Sequence, residues 1–427
     1  MRIRWKRLAA VLCAAVMALT LLPGQVWAEM YGVEEDTFLS ATVVCGNPLY
    51  PELGVEESVS YDTPTATLAE ENALGDGGSY ATAAEAAAYV RQQFKAREQM
   101  LFFYTGYPES GPFLELTEAE AAAAYTDAEQ ALVNGGASRE SILRRRRFSK
   151  YLTELVRQQL LPEAFHHNAQ DPTGGDYMRY QYEKVSYSAS WDGYFFGATI
   201  TFTYFTTAQQ EAVVDQTAEW LISSLGVADM ADETDRMAAI YDWICAHVAY
   251  DHESTGTLKH SAYAALVDKT AVCQGYAVLL YRLALMAGVN ARVVSGSVPA
   301  GLHGWNLVKI GARWYQADPT WDAGPMVHSH YLKAQLNNHQ LDEESAAVAK
   351  QYFLSPTDFS VKIGALNGSG SIDSTDMQVL YDYLLTGAIP AAMEAGTFRK
   401  AADINGDYAI DVYDLQLLYE NISGIRE

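Results

Sequence analysis

The chain is poor in cysteine and in positive charge and, past its first two dozen residues, has no long apolar run. Four cysteines among 427 residues exclude a disulfide-stapled scaffold, which would carry more of them and in even number. Lys and Arg number 29 against 53 Asp and Glu. A surface that acidic repels nucleic acid and anionic membranes, so neither is an expected partner. The one basic run, Arg144-Arg145-Arg146-Arg147, lies in a helical pattern beside Glu140 and Glu154 and reads as a solvated helix face. No later stretch is long and apolar enough to span a bilayer. With 49 % hydrophobic residues, this length supports two or three domains with sizeable cores.

Arg2, Arg4, Lys6 and Arg7 precede an apolar run from Leu8 to Leu22, a Pro23-Gly24 break and Val26-Trp27-Ala28. That order predicts a secretory signal peptide cut after Ala28 and an extracellular mature protein. A membrane anchor is the alternative, but the run is short for one. Cleavage removes four positive charges and takes the net from −24 to −28. It leaves Cys45, Cys245 and Cys273, of which at most Cys45 and Cys245 can pair. One thiol then stays free.

Residues 29–75 mix Gly, Pro, Thr and acids and read as a weakly ordered lead-in. Helices are expected over Thr82–Tyr104, from the capping box at Thr117, and over Ser138–Leu161 up to Pro162. Alternation from Tyr194 to Phe205 predicts a half-buried antiparallel strand. Residues 76–225 are therefore expected to form an α+β domain of unassigned role. His166-His167 is a poor metal pair, because adjacent side chains point apart on any regular element. Helices over Gln209–Leu225 and Asp232–Val248 follow, with Cys245 on the apolar face of the second.

Cys273 opens a helical pattern that runs from Val278 to Ala287 and stops at Gly288. The positive end of a helix dipole favours a thiolate there, whereas a lone Cys in apolar company is ordinarily inert core. The hairpin downstream separates the two readings. With Gly311-Ala312 as its two-residue turn, Ile310 faces Arg313, His303 opposes Thr320, and Asp318 lies two positions along on the same face. Diagonal neighbours of that kind are roughly 7–8 Å apart at Cα, within reach of a His–carboxylate hydrogen bond. Nucleophile, base and orienting acid are the set that acyl transfer requires.

Three stretches, Ala271-Val272-Cys273-Gln274-Gly275-Tyr276-Ala277, His303-Gly304-Trp305-Asn306 and Trp314-Tyr315-Gln316-Ala317-Asp318-Pro319-Thr320-Trp321-Asp322, resemble the transglutaminase-like family of papain-type cysteine enzymes. The likeness runs over about residues 230–335. It implies Cys273 as nucleophile, His303 as base and Asp318 as third member, on a Cys-bearing helix packed against an antiparallel sheet, with no catalytic cofactor. Gly304 departs from the more usual Ala. The Cys273 N–H is the natural first oxyanion donor, with Tyr263 or Gln274 as candidates for the second. Trp305 and Trp321 are expected to wall the cleft. Family members hydrolyse amides or peptides or cross-link Gln to amines. A non-catalytic module holding protein or glycan in the aromatic cleft is the alternative from another class.

The C-terminus carries a duplication of period 38, residues 365–376 repeating as 403–414. In the second copy Asp403, Asn405, Asp407, Asp411 and Asp414 stand at positions 1, 3, 5, 9 and 12 of a calcium loop, with Ala409 offering its carbonyl at 7. No helical pattern closely precedes this loop. The first copy offers Asn367, Ser369, Ser371, Asp373 and Asp376, but Ala365 at position 1 and Ser369 at position 5 remove two carboxylates, so weaker calcium binding is expected. Residues 364–427 resemble a dockerin, the duplicated module that binds cohesin on a scaffold protein. The resemblance implies structural calcium, a cohesin partner and Ser374, Thr375, Val412 and Tyr413 as contacts. The expected fold class is α+β with a small all-α tail: signal peptide 1–28, lead-in 29–75, α+β domain 76–225, catalytic domain 226–360 and an all-α dockerin 361–427. An exported enzyme cleaving amide bonds in a protein or peptide, docked on a cellulosome-like complex, is the function expected.

Overall fold

A computed structural model describes residues 39–47, 49, 57–61, 78–108, 111–191, 196–324, 328–369, 371–407 and 409–425. The expected signal peptide, residues 1–28, and most of the lead-in lie outside the described residues. The fold mixes helices and sheets, as expected. It divides into two compact units, one comprising residues up to 166 with 182–204, the other 167–181 with 205–427.

The first unit is a six-stranded sheet of β1 (Leu39–Gly46), β2 (Ser58–Ser60), β3 (Ser79–Tyr80), β4 (Met100–Tyr104), β5 (Tyr182–Trp191) and β6 (Phe196–Tyr204), in the order β2-β1-β5-β6-β4-β3. All neighbours are antiparallel except β3 with β4. Two of these strands correct the pattern reading. Strand β1 falls in the expected lead-in and buries Leu39, Ala41, Val43 and Cys45, a period-2 signal short enough to be lost among loop-forming residues. The helix begun at Thr82 ends at Ala96, where Arg97 turns left-handed at φ 61°. Met100, Phe102 and Tyr104 then alternate inward as β4 rather than continuing the helix. The basic run is also more than a solvated face. Arg146 pairs with buried Glu129 through two bonds of 2.7 Å, and Arg144 lies over Phe113 and Trp191.

In the second unit, helix Cys273–Met286 is buried from Gln274 to Leu285. It packs on strands β9 (Ala291–Val298) and β10 (Gly301–Ile310) of a sheet completed by β11 (Arg313–Ala317) and β12 (Gln340–Leu341), ordered β11-β10-β9-β12; upstream lie the paired short strands β7 (Ala249–Tyr250) and β8 (Thr270–Ala271). Asn306 ties helix to sheet by donating to the carbonyls of Ala277 (2.9 Å) and Arg292 (3.2 Å). Gly275 must be glycine, since a Cβ there would stand 2.6 Å from Ala271 Cβ and 3.0 Å from the Lys259 and Ser261 carbonyls. The three described cysteines are free thiols.

Helices Ser374–Thr386, Ala395–Ala402 and Val412–Ile422 surround Leu366, Leu380, Phe398, Leu417 and Leu418. Contrary to the pattern reading, Ala395–Ala402 leads directly into the second loop; its apolar face is only Phe398, Ala401 and Ala402. The tip of the β10–β11 hairpin enters this cluster: Ala312 is part of it, and its N–H donates to Ile363 (2.9 Å).

Buried Asp176 anchors the sheet. It accepts from Arg292 Nε (2.6 Å), Arg292 Nη2 (2.9 Å) and the Val293 N–H (2.9 Å). Removing its charge strands a buried guanidinium. Asp176→Asn is expected to destabilise the protein by about 3–5 kcal/mol in denaturant unfolding; a loss under 1 kcal/mol would assign the pair no structural weight.

Candidate active site

Cys273 occupies the first position of its helix, behind Val272, and is partly exposed. The other two thiols are buried. Burial pushes Cys45 upward and Cys245 up to about 12, so both read as inert. Cys245 contacts the Pro319 carbonyl at 3.6 Å.

The hairpin has the expected register, Ile310 opposite Arg313 and Asn306 opposite Ala317. It ends there, because Asp318 and Pro319 turn the chain into the short helix Pro319–Asp322. His303 therefore has no strand partner at Thr320, and instead meets Asp318 through side chains. Its Nε2 lies 2.8 Å from Asp318 Oδ2, which leaves Nδ1 for the hydrogen bond with the Cys273 thiol. Asp318 Oδ1 accepts the Thr320 N–H at 2.9 Å, capping the turn.

Electrostatics follow from those contacts. Burial disfavours the charged form of His303, but the bonds to Asp318 and Cys273 outweigh it and push the imidazole up to about 10. Burial likewise works against the Asp318 carboxylate, yet donation from His303 and His339 brings it down to about 2. The imidazolium and the carboxylate are thus both charged at neutral pH.

His339, absent from the sequence reading, is the third group here. Its Nε2 is 3.1 Å from the same Asp318 Oδ2. Donor atoms of His303, Asp318 and His339 gather within 4.8 Å, but the shared carboxylate oxygen already accepts from both rings. That is how a hydrogen-bonded chain is built, not an open metal cage. The only local signal for His339 is the turn-forming Asn337-Asn338 before it, with Asn338 at φ 63°.

Of the two proposed second oxyanion donors, Gln274 is engaged elsewhere. Gln274 is buried, donating to the Tyr180 carbonyl (2.8 Å) with its oxygen at His260 Nδ1 (3.2 Å). Tyr263 is half-buried at the head of the π turn Ala264–Asp268. The hydroxyl that reaches the Cys273 N–H is that of Tyr250. Its strand pairs with the residues just before Cys273, Tyr250 opposite Ala271, and two residues are too few for any periodic signal. Trp305 is core rather than cleft wall: it is fully buried, donates to Gln316 Oε1 (3.0 Å) and stacks under His303. Trp321, 37 % exposed and 6.0 Å from the His303 ring, takes the outer position. Gly304 leaves room for a methyl, with nothing nearer than 3.8 Å, so its departure from Ala costs no contact.

The repeat loops differ in kind. In both copies the position-12 carboxylate is buried and accepts three backbone amides: Asp376 from Leu366, Asn367 and Asp373, and Asp414 from Ile404, Asn405 and Asp411. In the second copy Asp403, Asp407 and Asp411 add three more carboxylates. Burial raises Asp414, and the Asp403 charge adds to it against the amide bonds, so the loop holds negative charge that a hard cation would neutralise. An all-oxygen set of that charge fits calcium. In the first copy Ser369 and Ser371 satisfy each other at 2.9 Å, and the Ser369 N–H bonds Asn367 Oδ1 at 2.7 Å. With Ala365 and Ser369 where the second copy has Asp403 and Asp407, that loop carries two carboxylates fewer and fits a hard cation less well.

Residues 225–319 match the family described as Transglutaminase-like superfamily, and residues 364–423 the one described as Dockerin type I domain. Among curated proteins, Kyphoscoliosis peptidase of Mus musculus is 32 % identical over 119 residues, 24 % of this chain and 18 % of that protein. Its Homo sapiens counterpart is 32 % identical over 117 residues, 23 % of this chain and again 18 % of the relative. The chain thus spans under a fifth of the length of these relatives. Of solved structures, one titled "Crystal structure of a TGase" is 19 % identical, covers 30 % of this chain and 41 % of its own, and has a TM-score of 0.25. The periplasmic domain of TgpA from Pseudomonas aeruginosa, bound to ethylmercury, is 14 % identical with a TM-score of 0.19, covering 33 % of this chain and 74 % of its own.

The class is thus defined for two segments, a transglutaminase-like core domain over residues 225–319 and a type I dockerin domain over residues 364–423. Type I dockerin domains are calcium-binding modules whose partner is cohesin. Among the described residues no helix is long and apolar enough to cross a membrane.

Proposed function

We propose that this chain is an exported cysteine acyl-transfer enzyme that hydrolyses amide or peptide bonds while docked on a cohesin-bearing scaffold. One observation carries the reading: a single imidazole stands between a helix-start thiol and a buried carboxylate, His303 Nε2 being 2.8 Å from Asp318 Oδ2. The Cys273 thiolate attacks the carbonyl carbon, and the oxyanion takes a hydrogen bond from the Tyr250 hydroxyl and, as it displaces that hydroxyl's oxygen from the Cys273 N–H, one from this amide. His303 gives its proton to the nitrogen as the C–N bond breaks, leaving a thioester and a free amine. Water then opens the thioester, its proton passing to His303, while Asp318 stays ionised and holds the ring. The curated relatives are named as peptidases, which agrees with water rather than an amine as the second substrate.

Asp403, Asn405, Asp407, the Ala409 carbonyl, Asp411 and Asp414 would hold calcium in the dockerin. A bound ion would neutralise the charge these residues gather ahead of helix Val412–Ile422. Exposed Val412 and Tyr413, with Ser374 and Thr375 in the other copy, are offered to cohesin.

Iodoacetamide at neutral pH is expected to alkylate Cys273 selectively, and His303→Ala to slow this by about 10²-fold or more. Equal rates in both proteins would remove the enzyme reading. With a Gln-peptide and an amine probe, the expected product is the free acid; an amine-bearing product would reassign the enzyme to cross-linking. For the tail, cohesin binding is expected to need calcium and to be lost in Asp403→Ala. Undiminished binding in chelator contradicts this.

A further inference from the structure

His339 makes two hydrogen bonds, and both partners are acceptors. Nε2 lies 3.1 Å from Asp318 Oδ2, and Nδ1 lies 2.9 Å from the Asn337 carbonyl oxygen. A neutral imidazole carries one N–H and can serve only one of them. The imidazolium, with a proton on each nitrogen, serves both. Its side chain is fully enclosed, with the Trp305 ring 5.0 Å and the Trp321 ring 4.7 Å away. The backbone holds it there: β12 follows at once, and its Gln340 carbonyl runs so close to Gly296 that a Cβ would come within 2.0 Å.

The shared oxygen has a chemical consequence. A buried carboxylate serving His303 alone would hold the imidazolium proton hard, yet amide cleavage requires that proton to reach the leaving nitrogen. A second cation on Oδ2 takes up part of the carboxylate's charge and, with its ring 5.2 Å from that of His303, repels the His303 proton directly. Building on the role of Cys273, His303 and Asp318 given above, we propose that His339 is a positioning residue: a buried imidazolium that divides Asp318 with His303, fixes the carboxylate's orientation and makes the His303 proton easier to transfer. The other titratable groups facing the pair are Cys273 and Tyr250 beyond His303, Tyr241, Cys245 and Tyr276 on the Asp318 side, and His330 with its Asp322 carboxylate at 2.9 Å. Asp342, next along the chain, is engaged by Ser295 and Ser345. All of these remain when His339 is changed.

The test is the pH profile of Cys273 alkylation by iodoacetamide in the full chain, comparing wild type with His339→Gln, which keeps a neutral donor. The upper inflection, where His303 loses its proton, is expected to rise by about one pH unit or more in the variant. An unmoved inflection overturns the proposal, and a merely structural role would lower the rate at every pH alike. A wild-type Cys273 that alkylates no faster than a free thiol, without a second inflection, would instead refute the enzyme reading beneath it. Should His339→Gln fail to fold, 15N spectra of the wild-type imidazoles decide: both His339 nitrogens protonated at neutral pH is the expected result, and one bare nitrogen overturns it.

Discussion

The Asp318 carboxylate is the point on which the second unit's chemistry and local folding both turn. It is buried without any exposed surface, and a bare carboxylate there would protonate instead. Oδ1 is satisfied by the Thr320 N–H, which starts the turn that ends β11. Oδ2 is satisfied by two imidazoles. The same group therefore stops a strand, starts a helix and orients a base. Pro319 supports this arrangement, because it cannot extend the ladder and fits the first helical position.

The hairpin behind Asp318 works at both ends. At one end β10 and β11 bring His303 and Asp318 together. At the other, Gly311 at φ 63° forms the tight turn, with its N–H donating to Glu233 (2.7 Å). Ala312 beside it enters the dockerin core, and Lys362 pairs with Asp232 (3.2 Å) and Glu233 (3.4 Å). A dockerin joined by a free linker would make none of these contacts. Here a single two-stranded element packs its turn against the C-terminal repeat and carries His303 and, at its end, Asp318.

Legibility in the sequence followed the range of the signal. Turn chemistry at Gly311-Ala312 specifies register, so the meeting of His303 and Asp318 could be read before any coordinates, although the ladder stops three residues short of the expected pairing. The helix start at Cys273 and the 38-residue repeat were legible for the same reason: each is a local pattern. Tyr250 and His339 were not. Each reaches the site through a two-residue strand, β7 (Ala249–Tyr250) or β12, paired at long range, and neither strand is long enough to show a period. Trp305 was misplaced because an aromatic beside a catalytic-type His reads alike as wall or floor, and only burial separates them. Gln274 was misplaced because its side chain turns to Tyr180, nearly a hundred positions earlier.

The central claim is that Cys273 carries an acyl group through a thioester. It is tested most directly by treating the full chain with p-nitrophenyl acetate and following intact mass. A single acetyl on Cys273, released by hydroxylamine and absent in His303→Ala, is the expected result. Acetylation confined to lysines, with Cys273 unmodified in the wild-type protein, would contradict it.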